Sequence, residues 1–202
     1  MTKNNDPKVL ANLINCLSVL ENDTFLLYKN LSNKLEHPLL RSLLVSIAED
    51  SQKHSTLLKG VAESIAKTKG KLNNCEKNTG KVWRLVADLT NEIASKESLS
   101  EKEMPRLWEK LTFLESSIGE EYYMFVQMKT LQTMMREINQ IYKIDLGSLR
   151  SIFDHIINDE EHHREVLATI KSILEPQLKA DSNPLVRYQN PDSWISPNPA
   201  TG

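Results

Sequence analysis

Glycine is scarce here, six residues in a chain of 202, and the aromatic share is 6%. A β architecture punctuated by glycine turns is therefore disfavoured. Charge of one sign is also lacking: 25 basic and 27 acidic side chains are mixed along the sequence for a net charge of -2. No basic face advertises nucleic acid or anionic lipid, and neither is expected as a partner. Long apolar runs are missing, since no segment approaches the roughly 20 apolar residues that span a bilayer. Residues 1–7 have no apolar core of signal-peptide length. Cysteine is limited to Cys16 and Cys75. They form no Cys-x-x-Cys motif, and the expectation is reduced thiols in a cytoplasmic protein.

What remains is leucine, isoleucine and charge. With 40% hydrophobic and 26% charged residues, the chain can build one sizeable soluble domain. Over residues 8–34 the side chains Leu10, Leu13, Ile14, Leu17, Leu20, Leu27 and Leu31 recur at helical spacing. Pro38 suits the first position of a second helix. That helix, 38–67, carries a stripe of Leu40, Leu44, Ile47, Ser51, His54, Leu58 and Val61. Residues 68–80 shift to Lys, Asn and Gly and read as a solvated loop. A shorter amphipathic helix follows over 82–94, with Val82, Val86, Leu89 and Ile93 on one face. Ser100-Glu101-Lys102-Glu103 resembles a capping box, with Pro105 just inside a third long helix that continues to about Ile141. Asp145 and Gly147 punctuate the chain before a fourth, whose stripe is Leu149, Phe153, Ile156, Glu160, His163, Leu167, Ile170 and Leu174 and which ends near Pro176. The fold class is thus all-α: two antiparallel helical hairpins joined by a long crossover, about 68–104, that contains a short extra helix. The bundle covers 8–178. The segment 179–202, with Pro184, Pro191, Pro197 and Pro199, is a non-helical tail, either disordered or docking through Tyr188, Trp194 and Ile195.

Five ionisable residues interrupt apolar stripes: Glu21, His54, Glu115, Glu160 and His163. An unpaired buried carboxylate costs several kcal/mol or stays protonated, so such groups need compensation. The segments Ile47-Ala48-Glu49-Asp50-Ser51-Gln52-Lys53-His54 and Ile156-Ile157-Asn158-Asp159-Glu160-Glu161-His162-His163 read almost alike. A Glu and a His three apart on a helix point the same way. Each hairpin's first helix repeats a Glu and a Tyr seven residues apart, Glu21 with Tyr28 and Glu115 with Tyr122. Oxygen and imidazole donors suit iron or manganese, with zinc also accommodated. His37, His155, His162 and Glu161 fall off the stripe and are expected at the surface. Met124, Met128, Met134 and Met135 read as core fillers.

On Glu160-x-x-His163, the pseudo-repeat and the two hairpins, residues 8–176 resemble the ferritin-like superfamily, and within it the rubrerythrin-like diiron carboxylate proteins. The resemblance implies a four-helix bundle in which Glu21 and His54 hold one metal, Glu115 and His163 the other, and Glu160 bridges both. Tyr28 and Tyr122 would stand behind the ligands. Implied chemistry is oxidation of ferrous iron by oxygen or peroxide. The chain lacks the paired Cys-x-x-Cys motifs of a rubredoxin domain, so a separate electron donor, or the iron substrate itself, must supply electrons.

The departure is Ser51, where the pattern calls for the second bridging carboxylate. A hydroxyl replaces neither its charge nor its reach, so the second metal should bind more weakly. Asp50 is a substitute candidate, although it points ~100° away from Ser51 on an ideal helix. Glu121 is another if the third helix is rotated. Glu120 is expected to face solvent. The alternatives are a single metal at Glu115, Glu160 and His163, a water-bridged pair, or no metal, in which case the bundle is an interaction module, for example as a homodimer, or a ligand-binding module.

Overall fold

The structure is a computed structural model that describes residues 7–66, 74–99, 103–127 and 146–182, without the side chains of Pro7, 120–127, 146–150 and 175–182. Five helices make up the described residues, and no strand occurs among them: α1 (Pro7–Ser32), α2 (Pro38–Ala66), α3 (Cys75–Ala94), α4 (Met104–Gln127) and α5 (Leu146–Ser182). None is long and apolar enough to cross a membrane.

The turn between α1 and α2 is built locally. Pro38 occupies the first position of α2, where its missing N–H is no loss. His37 Nδ1 accepts from the Leu40 N–H at 3.5 Å, and the Arg41 guanidinium donates to the Leu35 carbonyl at 2.7 Å. The two helices then run antiparallel, as the pairings Ser18 with Ser55 and Glu21 with His54 require. Helices α4 and α5 are antiparallel by the same reasoning, through Glu115 with His163 and Gly119 with Glu160. So are α2 and α5, through Asp50 with His163 and His54 with Asp159.

Between them the helices close a core of Leu17, Leu20, Leu27 and Leu31 from α1, Leu40, Leu44 and Ile47 from α2, Leu111, Leu114 and Ile118 from α4, and Phe153, Ile156, Leu167 and Ile170 from α5. Each such side chain contributes roughly 2 kcal/mol on burial. That apolar gain lets the same faces carry five buried ionisable residues.

Four expectations change. The segment read as a loop through Gly80 is helical from Cys75, because Gly80 takes the left-handed φ of 62° and kinks α3 instead of ending it. Beyond the kink, Val82, Val86, Leu89 and Ile93 are buried as predicted, and α3 packs against α1 and α4. Second, α5 passes through Pro176 to Ser182 instead of stopping near the proline, so 179–182 are not part of a non-helical tail; an interior proline removes one helical hydrogen bond, and the flanking turns hold. Third, α5 begins at Leu146 and takes Gly147 into its first turn. Fourth, Cys16 and Cys75 are joined in a disulfide with Cα atoms 5.1 Å apart. The expected cytoplasmic location thereby loses the support of free thiols. The third long helix's continuation over 128–141, with Met128, Met134 and Met135, and the tail's Tyr188, Trp194 and Ile195 lie outside the described residues.

Candidate metal centre

Glu21 of α1, His54 of α2, Glu115 of α4, and Glu160 and His163 of α5 meet at one level of the bundle, each at most 2% exposed. Neighbouring small polar residues allow the close approach. Ser18 and Ser55 exchange hydroxyl-to-carbonyl bonds of 2.9 and 2.7 Å across α1 and α2, Ser18 one turn before Glu21 and Ser55 next to His54. Gly119 of α4 stands where a Cβ would meet the Cβ of Glu160 at 3.4 Å.

The two imidazoles have ring centroids 6.2 Å apart, and Glu160 lies between them. Its Oε1 is 3.3 Å from His54 Nδ1, and its Oε2 is 3.6 Å from His163 Nδ1. Glu21 Oε1 is 3.7 Å from His54 Nδ1, while Glu115 Oε2 is hydrogen-bonded to His163 Nδ1 at 3.0 Å. Two sets of donor atoms result, Glu21–His54–Glu160 and Glu115–Glu160–His163, each with all members within 4.8 Å of one another. Every candidate in the principal set is in one of them, and Glu160 is in both. The Tyr28 hydroxyl donates to Glu115 Oε1, so this tyrosine stands behind Glu115 of the opposite hairpin rather than behind Glu21 of its own helix.

Charge at this level is incompletely balanced. Burial pushes the Glu160 carboxyl up, the charges of Glu21 and Glu115 push it further, and it reaches about 8. Burial alone would lower both histidines. The carboxylates override it: Glu160 and Glu21 hold His54 at about 10, and Glu115 and Glu160 hold His163 at about 11. Burial would also raise Glu115, but His163 outweighs it and the net shift is downward. Among the described residues, both Glu160 oxygens and His54 Nδ1 have no hydrogen-bond partner. Buried polar atoms in that condition cost ~1–3 kcal/mol each. Two carboxylate oxygens and an imidazole nitrogen that converge without hydrogen-bond partners could serve as a donor set for a cation once deprotonated, and the mixed nitrogen and oxygen chemistry fits iron, manganese or zinc.

The outer faces of both rings are held as well. His54 Nε2 lies 2.9 Å from Asp159 Oδ2, and His163 Nε2 lies 3.4 Å from Asp50 Oδ2. Each aspartate sits on the helix opposite its histidine. Lys53 joins the two, at 2.7 Å from Asp50 and 3.1 Å from Asp159. A carboxylate on Nε2 holds a proton there, so the inward-facing Nδ1 is the nitrogen that must lose its proton for either ring to hold a cation. Asp50, weighed as a substitute ligand, is therefore engaged on the side of His163 away from Glu115 and Glu160. Asp159 and Lys53 escaped the sequence reading. The signal was present, because both copies contain Asp-x-x-x-His.

Ser51 is 1% exposed and its hydroxyl donates to the Ile47 carbonyl at 3.2 Å, on its own helix. Glu120, Glu121 and Tyr122 lie on α4, with side chains outside the described set. His155, His162 and Glu161 are exposed, and His37 is half-buried as a cap of α2. Comparison with protein-family models, with curated proteins and with solved structures finds no match to this chain.

Proposed function

We propose that this chain is a ferritin-like bundle of the rubrerythrin-like kind, holding two divalent transition metals, iron foremost, and acting as a non-haem oxidoreductase on ferrous iron, oxygen or peroxide. One observation carries the reading: Glu160, buried and without hydrogen-bond partners among the described residues, directs one oxygen at each of two histidines that are themselves backed by carboxylates. Support for the topology comes from the antiparallel α1–α2 and α4–α5 pairs, the antiparallel α2–α5 pair, and a crossover that carries α3.

In this reading Glu21 and His54 would hold one metal, Glu115 and His163 the other, and Glu160, whose oxygens face both histidines, would serve both. A pair of reduced irons, when bound, supplies two electrons to one O–O bond. The protein's part is arrangement. Asp159 and Asp50 hold a proton on each Nε2, so that Nδ1 would be the nitrogen to give up its proton and ligate. Tyr28 donates a hydrogen bond to Glu115 and limits its rotation. Burial of all five ligands excludes bulk water, which strengthens each electrostatic interaction within. Electrons come from a separate donor or from ferrous substrate.

Ser51 favours a second reading, a bundle with a partial site that serves as an interaction or ligand-binding module. One experiment separates them. The protein is purified without chelators, its metal is quantified, and ferrous iron is added in air while ferric absorbance is followed. The oxidoreductase reading expects bound metal and oxidation faster than buffer. Metal below ~0.2 per chain together with oxidation at the buffer rate, in a site where ligands must release protons to bind, overturns it.

A further inference from the structure

Helix α3 is two pieces joined at Gly80. The left-handed φ of 62° there breaks the helical run, so residues 75–79 form a turn set apart from the amphipathic stretch that follows. That longer stretch is fastened to the core by Val82, Val86, Leu89 and Ile93. The turn buries far less. Asn74, Glu76, Lys77, Asn78 and Gly80 are exposed, and a single helical turn has no stability of its own in water. Its start is weakly fixed too, because Asn74 at the cap position is itself left-handed and makes no side-chain capping bond. The Glu76–Arg84 ion pair spans the kink, but it is solvent-exposed and such pairs contribute little. What ties the turn to α1 is buried Thr79 and the covalent bond from Cys75 to Cys16.

The two sulfurs are not equivalent. Cys16 is fully buried on α1, whereas Cys75 is half-buried on the exposed turn. A thiolate from solvent therefore reaches Cys75 Sγ first, and breaking the bond expels Cys16 as the leaving thiolate. The Asn78 amide, its Nδ2 at 3.8 Å from Cys16 Sγ, donates toward the atom that takes up the charge. A second external thiol then attacks the mixed disulfide at Cys75. In sum, one protein disulfide and two external thiols give two protein thiols and one external disulfide, and an external disulfide reverses the exchange. We propose that Cys16–Cys75 is a redox-operated clamp: its reduction releases the 75–80 turn from α1 about the Gly80 hinge and uncovers Cys16, while the remaining helices stay folded. The clamp stands apart from the metal centre and needs none of its residues.

The test uses the full-length protein in native buffer, as isolated and after dithiothreitol. Alkylation of the thiols, tryptic cutting after the exposed Lys77 and far-ultraviolet circular dichroism are followed together. Reduction should proceed without denaturant, Cys16 should then alkylate, and cutting after Lys77 should speed up about tenfold or more, with the helical signal nearly unchanged. Oxidised glutathione should restore the slow cutting. Cys16→Ser with Cys75→Ser should be cut at the reduced rate and ignore dithiothreitol. A bond that opens in denaturant alone overturns the proposal. So does a reduced protein in which Cys16 stays unreactive and Lys77 uncut, since the turn then needs no clamp. Loss of the helical signal on reduction also overturns it, because the bond would then hold the whole bundle rather than one turn.

Discussion

Glu160 is the residue on which the site turns, and its environment separates structural from metal-binding roles. With its carboxyl raised to about 8, it is mostly protonated at pH 7 when no metal is bound. A glutamine is close to isosteric with that protonated form. Glu160→Gln should therefore change the stability of the metal-free protein by no more than about 1 kcal/mol in denaturant unfolding, while metal binding is lost at both sites. A large loss of stability with metal binding retained would place the residue in the core rather than at a metal. Titration follows from the same neighbours. His54 and His163 are raised from 6.5 to about 10 and 11, and Glu160 from 4.5 to about 8. Between about pH 4.5 and 11 the metal-free folded state thus binds more protons than the unfolded chain, and its stability falls as pH rises through that window. Metal binding must expel those protons, so its affinity rises with pH. Chemical unfolding of chelated protein at pH 6 and pH 9 should give the lower stability at pH 9; equal or greater stability there would show that the three groups are not coupled as described.

At the scale of elements, two histidine–aspartate pairs link α2 to α5. Asp159 and Asp50 each orient the other helix's histidine, and Lys53 spans them. Asp159→Asn keeps the shape but lets the amide present the wrong hydrogen to His54 Nε2, and metal affinity should fall about 10- to 100-fold in a competition titration against a chelator dye. An unchanged affinity would remove the aspartate from the account. Helix α3 is attached differently. The Cys16–Cys75 bond closes a separation of 59 residues between α1 and the start of the crossover, worth about 2–4 kcal/mol on a chain-entropy estimate. Cys16→Ser with Cys75→Ser should lower the thermal midpoint by several degrees, and a thiol count on unfolded, unreduced wild type should find none. How legible these elements were depended on period. The stripes of α2 and α5 alternate in steps of three and four, so their faces with His54, Glu160 and His163 could be read directly, and Glu21 and Glu115 stood out as charges on the apolar faces of α1 and α4. The onset of α3 could not, because Gly80 and the polar run before it carry loop chemistry while the disulfide and the packing of Thr79 and Val82 hold a helical turn in place. Pairing of Cys16 with Cys75 is likewise a product of the crossover's path, to which local sequence is blind. Asp159 was missed for another reason: attention to Glu-x-x-His hides a motif that starts one residue earlier.

For the whole molecule, four helices each place one or two ionisable groups at one level, and the surrounding leucine and isoleucine core supplies the stability that burying them consumes. Metal-free, the cluster rests on histidine–carboxylate pairs and leaves Glu160 without a hydrogen-bond partner among the described residues. Loaded, the same donors would be satisfied together, so metal binding and folding are linked. The most direct test is an anaerobic titration of chelated protein with ferrous iron in acetate buffer, with bound iron counted for the wild type and for Glu160→Gln. A shared bridge predicts about two irons per chain for the wild type and loss of both in the variant. Equal binding by the two proteins, or no binding by the wild type, would contradict it.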